Sequence, residues 1–295
     1  MFMNKRTLSF LLLLLSNTIF GFSFLFSKTA LEYASPMVLI AERFILAFVL
    51  LNILLLTGKM EMNLRGKNIG KLLLMGFFQP ILYFVFETYG LKYVSSSYAG
   101  IMIGLVPIAC LILGKLILNQ EIRKNQLIFV AISIAGVFCT SVSNDMSGSF
   151  VGTILLLGAV LSGTTFTVLS SKMSDEFSSF ERTYVMFALG CVVFVVAGLV
   201  SAKFNMALFM EPLRHGKYLM SLGYLGIISS VLAFLSINYA LTYVEVYVNG
   251  IMANFTPLVS VLAGVIIMHD IFTPIQVVGI ILILISVVGV SFVQK

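Results

Sequence analysis

Charge is scarce in this chain. Asp, Glu, Lys and Arg supply 10% of 295 residues, against 60% apolar residues and a mean hydropathy of +1.08. A water-soluble domain of this length carries far more charge, so lipid must be the solvent for most of the surface. Cysteine is rare too: Cys110, Cys139 and Cys191 all fall in apolar stretches, without CxxC spacing or a nearby His, which leaves no disulfide framework and no metal site to propose. The two histidines, His215 and His269, stand at the ends of apolar runs, where a solvated imidazole is the ordinary role. There is no GxxxxGK[ST] loop to cradle a nucleotide, so the chain offers no ATP-driven engine of its own. HExxH, GxSxG and close intramembrane Asp pairs are missing as well. No nucleophile and base can be assembled, and the chain reads as a non-enzyme without a cofactor.

What is present is length of apolar chain. Ten runs of about 20 residues, enough to cross a hydrocarbon core of roughly 30 Å as helix, recur along the sequence. They span Leu8 to Phe26, Pro36 to Leu56, Ile69 to Gly90, Ser97 to Leu118 and Gln126 to Ser143. The later five span Gly152 to Ser171, Thr183 to Ser201, Tyr218 to Leu241, Val246 to Met268 and Pro274 to Phe292. Polar and apolar residues do not alternate as the strands of a membrane barrel require. Lys5-Arg6 before Leu11 to Leu15 imitates a secretory signal, but the apolar run continues past Phe20 with no small-residue cleavage pattern. With the N-terminus inside, twelve Lys and Arg fall on the inner side, among them Lys59, Arg65, Lys67, Lys71 and Arg182, against Lys28, Lys92, Lys203, Arg214 and Lys217 outside. Both termini are therefore expected in the cytoplasm. The basic residues are scattered over short loops, so the net charge of +6 reads as a topology signal and nucleic acid is a poor partner.

The chain also repeats itself. At an offset of 150, Leu72 to Gln126 overlays Leu222 to Gln276 without a gap and matches at 15 of 55 positions; composition bias alone gives roughly a tenth. Matches include Gly76/Gly226, Tyr89/Tyr239, Gly100-Ile101-Met102 against Gly250-Ile251-Met252, and Pro107/Pro257. Five spans per copy is an odd number, so the second copy must enter the membrane from the opposite face. The expected fold is an all-α membrane protein of ten transmembrane helices built as two inverted five-helix repeats, residues 1–144 and 145–295, joined at Asn144 to Ser149. Such a pair favours alternating access around a midplane site.

Candidate site residues are the polar groups that a span can least afford. Gln79, Tyr83 and Glu87 stand at i, i+4 and i+8 on one face of the third span. Glu87 needs a cavity, a partner or a proton; one reading pairs it structurally with Arg43, the other makes it a proton carrier. Asn17, Thr164, Asn238 and Asn254 lie near mid-span, alongside Thr165, Ser229, Ser230 and Asn249. With Tyr83, Tyr98, Tyr239, Tyr247 and Met102 they can build a pocket with apolar walls and a few fixed polar points, suited to an aromatic or branched amino acid rather than a phosphate ester. Pro107 and Pro257 fall near the middle of the fourth and ninth spans, where each either shapes packing or frees backbone groups to line a cavity. Gly100 and Gly104, and Gly250 in the second copy, mark close helix packing.

Ser35-Pro36 opening the second span, Arg43-Phe44 and Ala47 after it, and Gly90-Leu91-Lys92-Tyr93 and Ala240-Leu241-Thr242-Tyr243 closing the third and eighth spans form a pattern. It continues through Ala99-Gly100, Pro107 and Asn119-Gln120-Glu121, then Asn249-Gly250, Pro257, His269-Asp270 and Gln276. In these residues the chain resembles the drug/metabolite transporter superfamily, specifically its EamA-type ten-helix branch, over essentially its whole length. The resemblance implies a secondary transporter in a prokaryotic inner (plasma) membrane, commonly an exporter of amino acids or other small metabolites. A multidrug/proton antiporter, with the proton as a second partner, and a non-transporting scaffold or sensor are the alternatives. One departure is Ser286 where the first copy has Gly136, expected to loosen a close helix contact.

Overall fold

The computed structural model describes residues 4–94, 99, 102–119, 124–141, 150–268 and 273–293, and all regular structure among them is helical. Tyr98, Gly100, the Asn144 to Ser149 link and His269-Asp270 lie outside the described residues. In chain order the helices are α1 (Lys5–Ala30), α2 (Pro36–Leu56), α3 (Ile69–Tyr93), α4 (Val106–Leu118), α5 (Lys124–Ser141), α6 (Phe150–Lys172) and α7 (Ser179–Ser201). Then follow the short α8 (Met206–Met210), a 3-10 turn (Glu211–Arg214), α9 (Gly216–Ala240), α10 (Val246–Ala253), α11 (Phe255–Met268) and α12 (Pro274–Val293). Among the described residues six, namely α1, α2, α3, α6, α7 and α9, are long and apolar enough to cross a membrane.

Local chemistry sets the helix ends. Asn4 caps α1 by accepting from the Arg6 N–H at 3.1 Å. Pro36 opens α2, where its missing N–H is not needed. Ser178 and Glu181 form a reciprocal capping box on α7, at 3.1 and 2.9 Å. At the far end of α3, Lys28 Nζ donates to the carbonyls of Leu91 and Val94 at 2.8 and 3.2 Å, so a cation from the last turn of α1 closes a helix C-terminus.

Two helices are interrupted in mid-course by π-helical turns, α3 at Phe77–Leu82 and α9 at Tyr224–Leu232. In α3 the cause is Pro80. Its ring disfavours the helical region for the residue before it, and Gln79 is extended, with φ −142° and ψ 111°. The ninth span, expected to be continuous, breaks at Asn254 into α10 and α11, and Gly104-Leu105 form a turn ahead of α4. Pro107 and Pro257 therefore sit in the first turns of α4 and α11. There a proline forfeits no hydrogen bond, so the two prolines begin helices instead of kinking them.

The helices pack α2 against α7, α5 against α12, α4 against α10, α3 and α4 against α6, and α1 against α9 and α11. Phe44 is the hub of the core: it stacks on Phe187 with ring centres 4.9 Å apart and meets Phe84 and Phe194 at 5.1 Å. It fits because Gly190 of α7 has no side chain. A Cβ there would sit 2.4 Å from Phe44 Cε1. Gly250 serves the same purpose between α10 and α4, where a Cβ would meet Cys110 Cβ at 2.7 Å and Pro107 Cα at 3.2 Å. Ser286 does not loosen its contact. Its hydroxyl donates to the Phe129 carbonyl at 2.8 Å and ties α12 to α5, a bond that glycine could not make.

The connection from Thr57 to Asn68 is held down rather than free. Lys67 Nζ pairs with Glu181 Oε2 at 2.7 Å, the Asn63 N–H donates to Glu181 Oε1 at 2.8 Å, and Lys71 Nζ pairs with Glu176 Oε2 at 2.5 Å. Arg182, counted by sequence as a loop cation, is wholly buried.

Candidate solute cavity

A cavity of about 110 Å³ lies inside the bundle, with walls from α1, α2, α3, α4, α6, α9, α10 and α11. Its size suits a small solute; drug-sized ligands occupy pockets several times larger. Of the residues that sequence reasoning proposes, Asn17, Gln79, Tyr83, Glu87 and Thr164 come together here, and Arg43 joins them. Pro80 turns Gln79 towards this space, and Tyr83 and Glu87 follow one and two helical turns later on the same face.

Arg43 and Glu87 share the cavity without touching. No ion pair within 4.0 Å joins them, which corrects the expectation of a structural pair; charge attraction acts only across the gap. Arg43 instead donates from Nε to Ser230 Oγ at 2.8 Å and from Nη2 to Ser229 Oγ at 3.0 Å, and its guanidinium lies 4.5 Å from the Phe84 ring centre. Ser23 of α1 donates to the same Ser229 hydroxyl at 2.7 Å. The guanidinium thus stitches α2 to the π-helical turn of α9 using two of its five donors. Glu87 is 5% exposed and accepts from the Thr88 hydroxyl at 3.2 Å. Asn17 donates from Nδ2 to the Leu13 carbonyl at 2.7 Å and accepts at Oδ1 from Thr256 at 3.1 Å.

The lining residues fall into pairs at the spacing of the internal repeat. Gln79/Ser229, Phe84/Phe234, Glu87/Ile237, Ile103/Ala253 and Val106/Thr256 all stand 150 positions apart, and both members of each pair line the cavity. A profile of the EamA-like transporter family matches residues 7–142 and again residues 150–292. The chain belongs to the EamA-like transporter family.

Relatives of this EamA-like protein are transporters by name. The uncharacterized transporter YcxC of Bacillus subtilis (strain 168) is 31% identical over 291 residues, covering 97% of this chain and 93% of its own. An uncharacterized transporter of Archaeoglobus fulgidus is 25% identical, covering 88% of this chain and 90% of its own. The uncharacterized inner membrane transporter YedA of Escherichia coli (strain K12) is 26% identical over 171 residues, 58% of this chain and 54% of its own. One crystal structure superposes with a TM-score of 0.77 over 97% of this chain and 96% of its own at 15% identity, a likeness of fold alone. The protein is a membrane transporter of this family.

Other proposed residues of the transporter lie elsewhere. Asn238 belongs to a second polar cluster around Arg182, donating to Thr183 Oγ1 at 2.9 Å and accepting from Ser170 Oγ at 2.6 Å. Arg182 there donates to the Ser170 and Asn238 carbonyls, both at 2.7 Å, near the C-terminal ends of α6 and α9. Met102 packs in a small apolar cluster with Phe24 and Leu91; Tyr239 lies against Tyr243, ring centres 5.1 Å apart; Asn254 is buried at the break between α10 and α11. Pro107 and Gly250 meet at the contact between α4 and α10. The cavity also takes in Ser229 and Asn249, named by sequence only among the mid-span polar groups, and two residues outside the proposed set, Ser23 and Thr256. Asn249 is the most telling, because its Oδ1 is buried and meets no hydrogen-bond partner among the described residues. Its signal in the sequence was a costly Asn beside Gly250, indistinguishable there from Asn238 and Asn254.

Proposed function

We propose that the protein is a secondary transporter that exports a small zwitterionic metabolite, an amino acid above all, by alternating access between two inverted five-helix halves, 1–144 and 145–295. The observation that carries this reading is a buried cavity whose acid, Glu87, and base, Arg43, share walls without neutralising each other. An unpaired buried charge is costly, and a solute carrying both signs offsets both charges at once. Glu87 and the orphan Asn249 Oδ1 suit an ammonium group. The solute carboxylate suits the spare donors of Arg43 and the N-terminal turns of α4 and α11, whose residues Val106 and Thr256 line the cavity. Support for the two-halves reading comes from the lining pairs at a constant offset, from π-helical turns in both α3 and α9, and from helix packing in which α1 against α9 and α11 mirrors α6 against α3 and α4. The excess of Lys and Arg on one side, which holds with the buried Arg182 left out, supports cytoplasmic termini in an inner membrane.

Counterflow of radiolabelled leucine and phenylalanine in proteoliposomes tests the proposal. Uptake should be saturable and should fall at least about tenfold in Glu87→Gln, as loss of a charge-assisted contact requires. A second reading, multidrug/proton antiport, is favoured by Glu87 having no cation within 4.0 Å among the described residues. It predicts ethidium flux that follows a pH gradient and stops in the same variant. Absence of flux for both solute classes under any gradient would leave a scaffold or sensor.

A further inference from the structure

A second recess opens on the flank of the bundle, separate from the central cavity. About 450 Å³ in volume, it is bounded by α2, α7, α8, the 3-10 turn and the start of α9. Its walls are apolar, including Ile45, Leu46, Val49, Leu199, Met210 and Leu213, with one polar member, Glu42. Val49 and Met210 are each 51% exposed, so the recess faces the surroundings of the bundle. Glu42 is only 5% exposed. Its Oε2 accepts from Tyr218 Oη at 2.6 Å, while its Oε1 is buried and meets no hydrogen-bond partner among the described residues. The neighbouring Arg43 points to Ser229 and Ser230 and makes no hydrogen bond or ion pair with this carboxyl. A buried carboxyl oxygen without a donor, in walls that offer none, is an acceptor waiting for a ligand.

We infer that this recess is a lateral binding site for a membrane-partitioned alkylammonium amphiphile, its ammonium on Glu42 and its chain along the apolar walls. The volume lies in the range of small-molecule sites. Glu42 stands six residues after Pro36, ~9 Å along α2 from its start, a depth at which a headgroup reaches the carboxyl while the chain runs on towards Val49 and Val195. Charge decides the headgroup. Among the described residues the recess walls hold no Lys or Arg, so a lipid phosphate or a fatty carboxylate finds no cation there, whereas an ammonium supplies the donor that Oε1 lacks and the positive charge that favours the carboxylate form. The site is independent of solute flux through the central cavity.

Because the chain has no tryptophan, Met210→Trp places a single reporter on the recess wall. Its fluorescence is titrated in detergent with nitroxide-tailed dodecylammonium, dodecanol and dodecanoate. The ammonium probe should half-quench at a concentration at least about tenfold lower than either of the others. Added Glu42→Gln should erase that preference. Tyr218→Phe, which releases Oε2 but leaves the acid, should keep it, and Val49→Phe, which fills the recess without touching Glu42, should lose it. Equal quenching by the three probes in the single-Trp protein overturns the inference whether or not Glu42→Gln folds, as does an undiminished preference in a folded Glu42→Gln.

Discussion

Gln79 and Ser229 stand 150 positions apart in the chain and line one cavity, each from a π-helical turn. The two turns are reached by different chemistry. In α3 a proline forces the residue before it out of helix; in α9 no proline is present, and the hydroxyls of Ser229 and Ser230 are gripped by Arg43. Equivalent positions therefore present an amide on one wall and a hydroxyl already engaged on the other, and Glu87 faces a cavity whose equivalent residue is Ile237. The cavity is symmetric in position and polarised in chemistry.

Pro80→Ala should separate shape from stability. It restores a backbone N–H and lets Gln79 return to helix, so thermal stability in detergent should hold or rise, an interior proline costing ~3 kcal/mol. Solute counterflow should nevertheless fall about tenfold as Gln79 leaves the cavity. Equal flux with raised stability would show that the extended Gln79 has no part in the site.

Replacing Arg43 by Ala removes both serine contacts and the Phe84 stacking, and should destabilise the protein by about 2–3 kcal/mol. Lysine keeps the charge but not the fork, so Arg43→Lys should recover part of the stability and less of the flux. Denaturant unfolding read beside counterflow distinguishes the two losses.

Arg182 makes the contrasting case. It donates to two helix-end carbonyls and to the hydroxyls of Ser170 and Thr242, and it is not among the residues lining the central cavity. Arg182→Ala leaves several buried acceptors without donors and should cost more than about 3 kcal/mol. The fraction that remains folded should keep wild-type affinity for solute, measured as the half-saturation of counterflow per folded molecule.

Acid should loosen the contact between the Thr57 to Asn68 connection and the start of α7. The hydrogen bond from Lys71 holds the Glu176 carboxyl below the usual glutamate range, helped by the Asn68 N–H and the charge of Lys67. A depressed folded value means that the stabilisation is fully present above the unfolded value and disappears as pH falls through the folded one. Glutamate resonances followed by NMR on acidification should show Glu176 titrating late, and Lys71→Ala should move it back up towards the ordinary glutamate range.

Much of the architecture was legible because hydropathy and helix breaking are local. The limits of α2 match the expected second span residue for residue, since Pro36 starts it and the apolar run ends at Leu56. Pro107 and Pro257 are visible in the sequence, but the helix breaks just ahead of them are not, because a proline that opens a helix and one inside it look identical until the preceding turn is seen. Glu87 and Arg43 were both recognised as costly. Their expected pairing failed because Ser229 and Ser230 reach the guanidinium first, a competition between helices that spacing along one helix does not encode. Asn238 and Asn17 are equally polar, yet Asn238, near the end of α9, serves Arg182, and Asn17, at the middle of α1, lines the cavity.

Composition by itself determined that lipid surrounds this protein, and the offset of 150 determined that one fold unit occurs twice. Both follow from the chain alone, the first because each residue meets its solvent individually, the second because duplication copies sequence directly. Tertiary structure decided which polar groups share a space. That choice depends on the rotation and tilt of each helix about its axis, set by close contacts such as Gly190 on Phe44, and a helix turned by one residue, or about 100°, would exchange the cavity face for the lipid face.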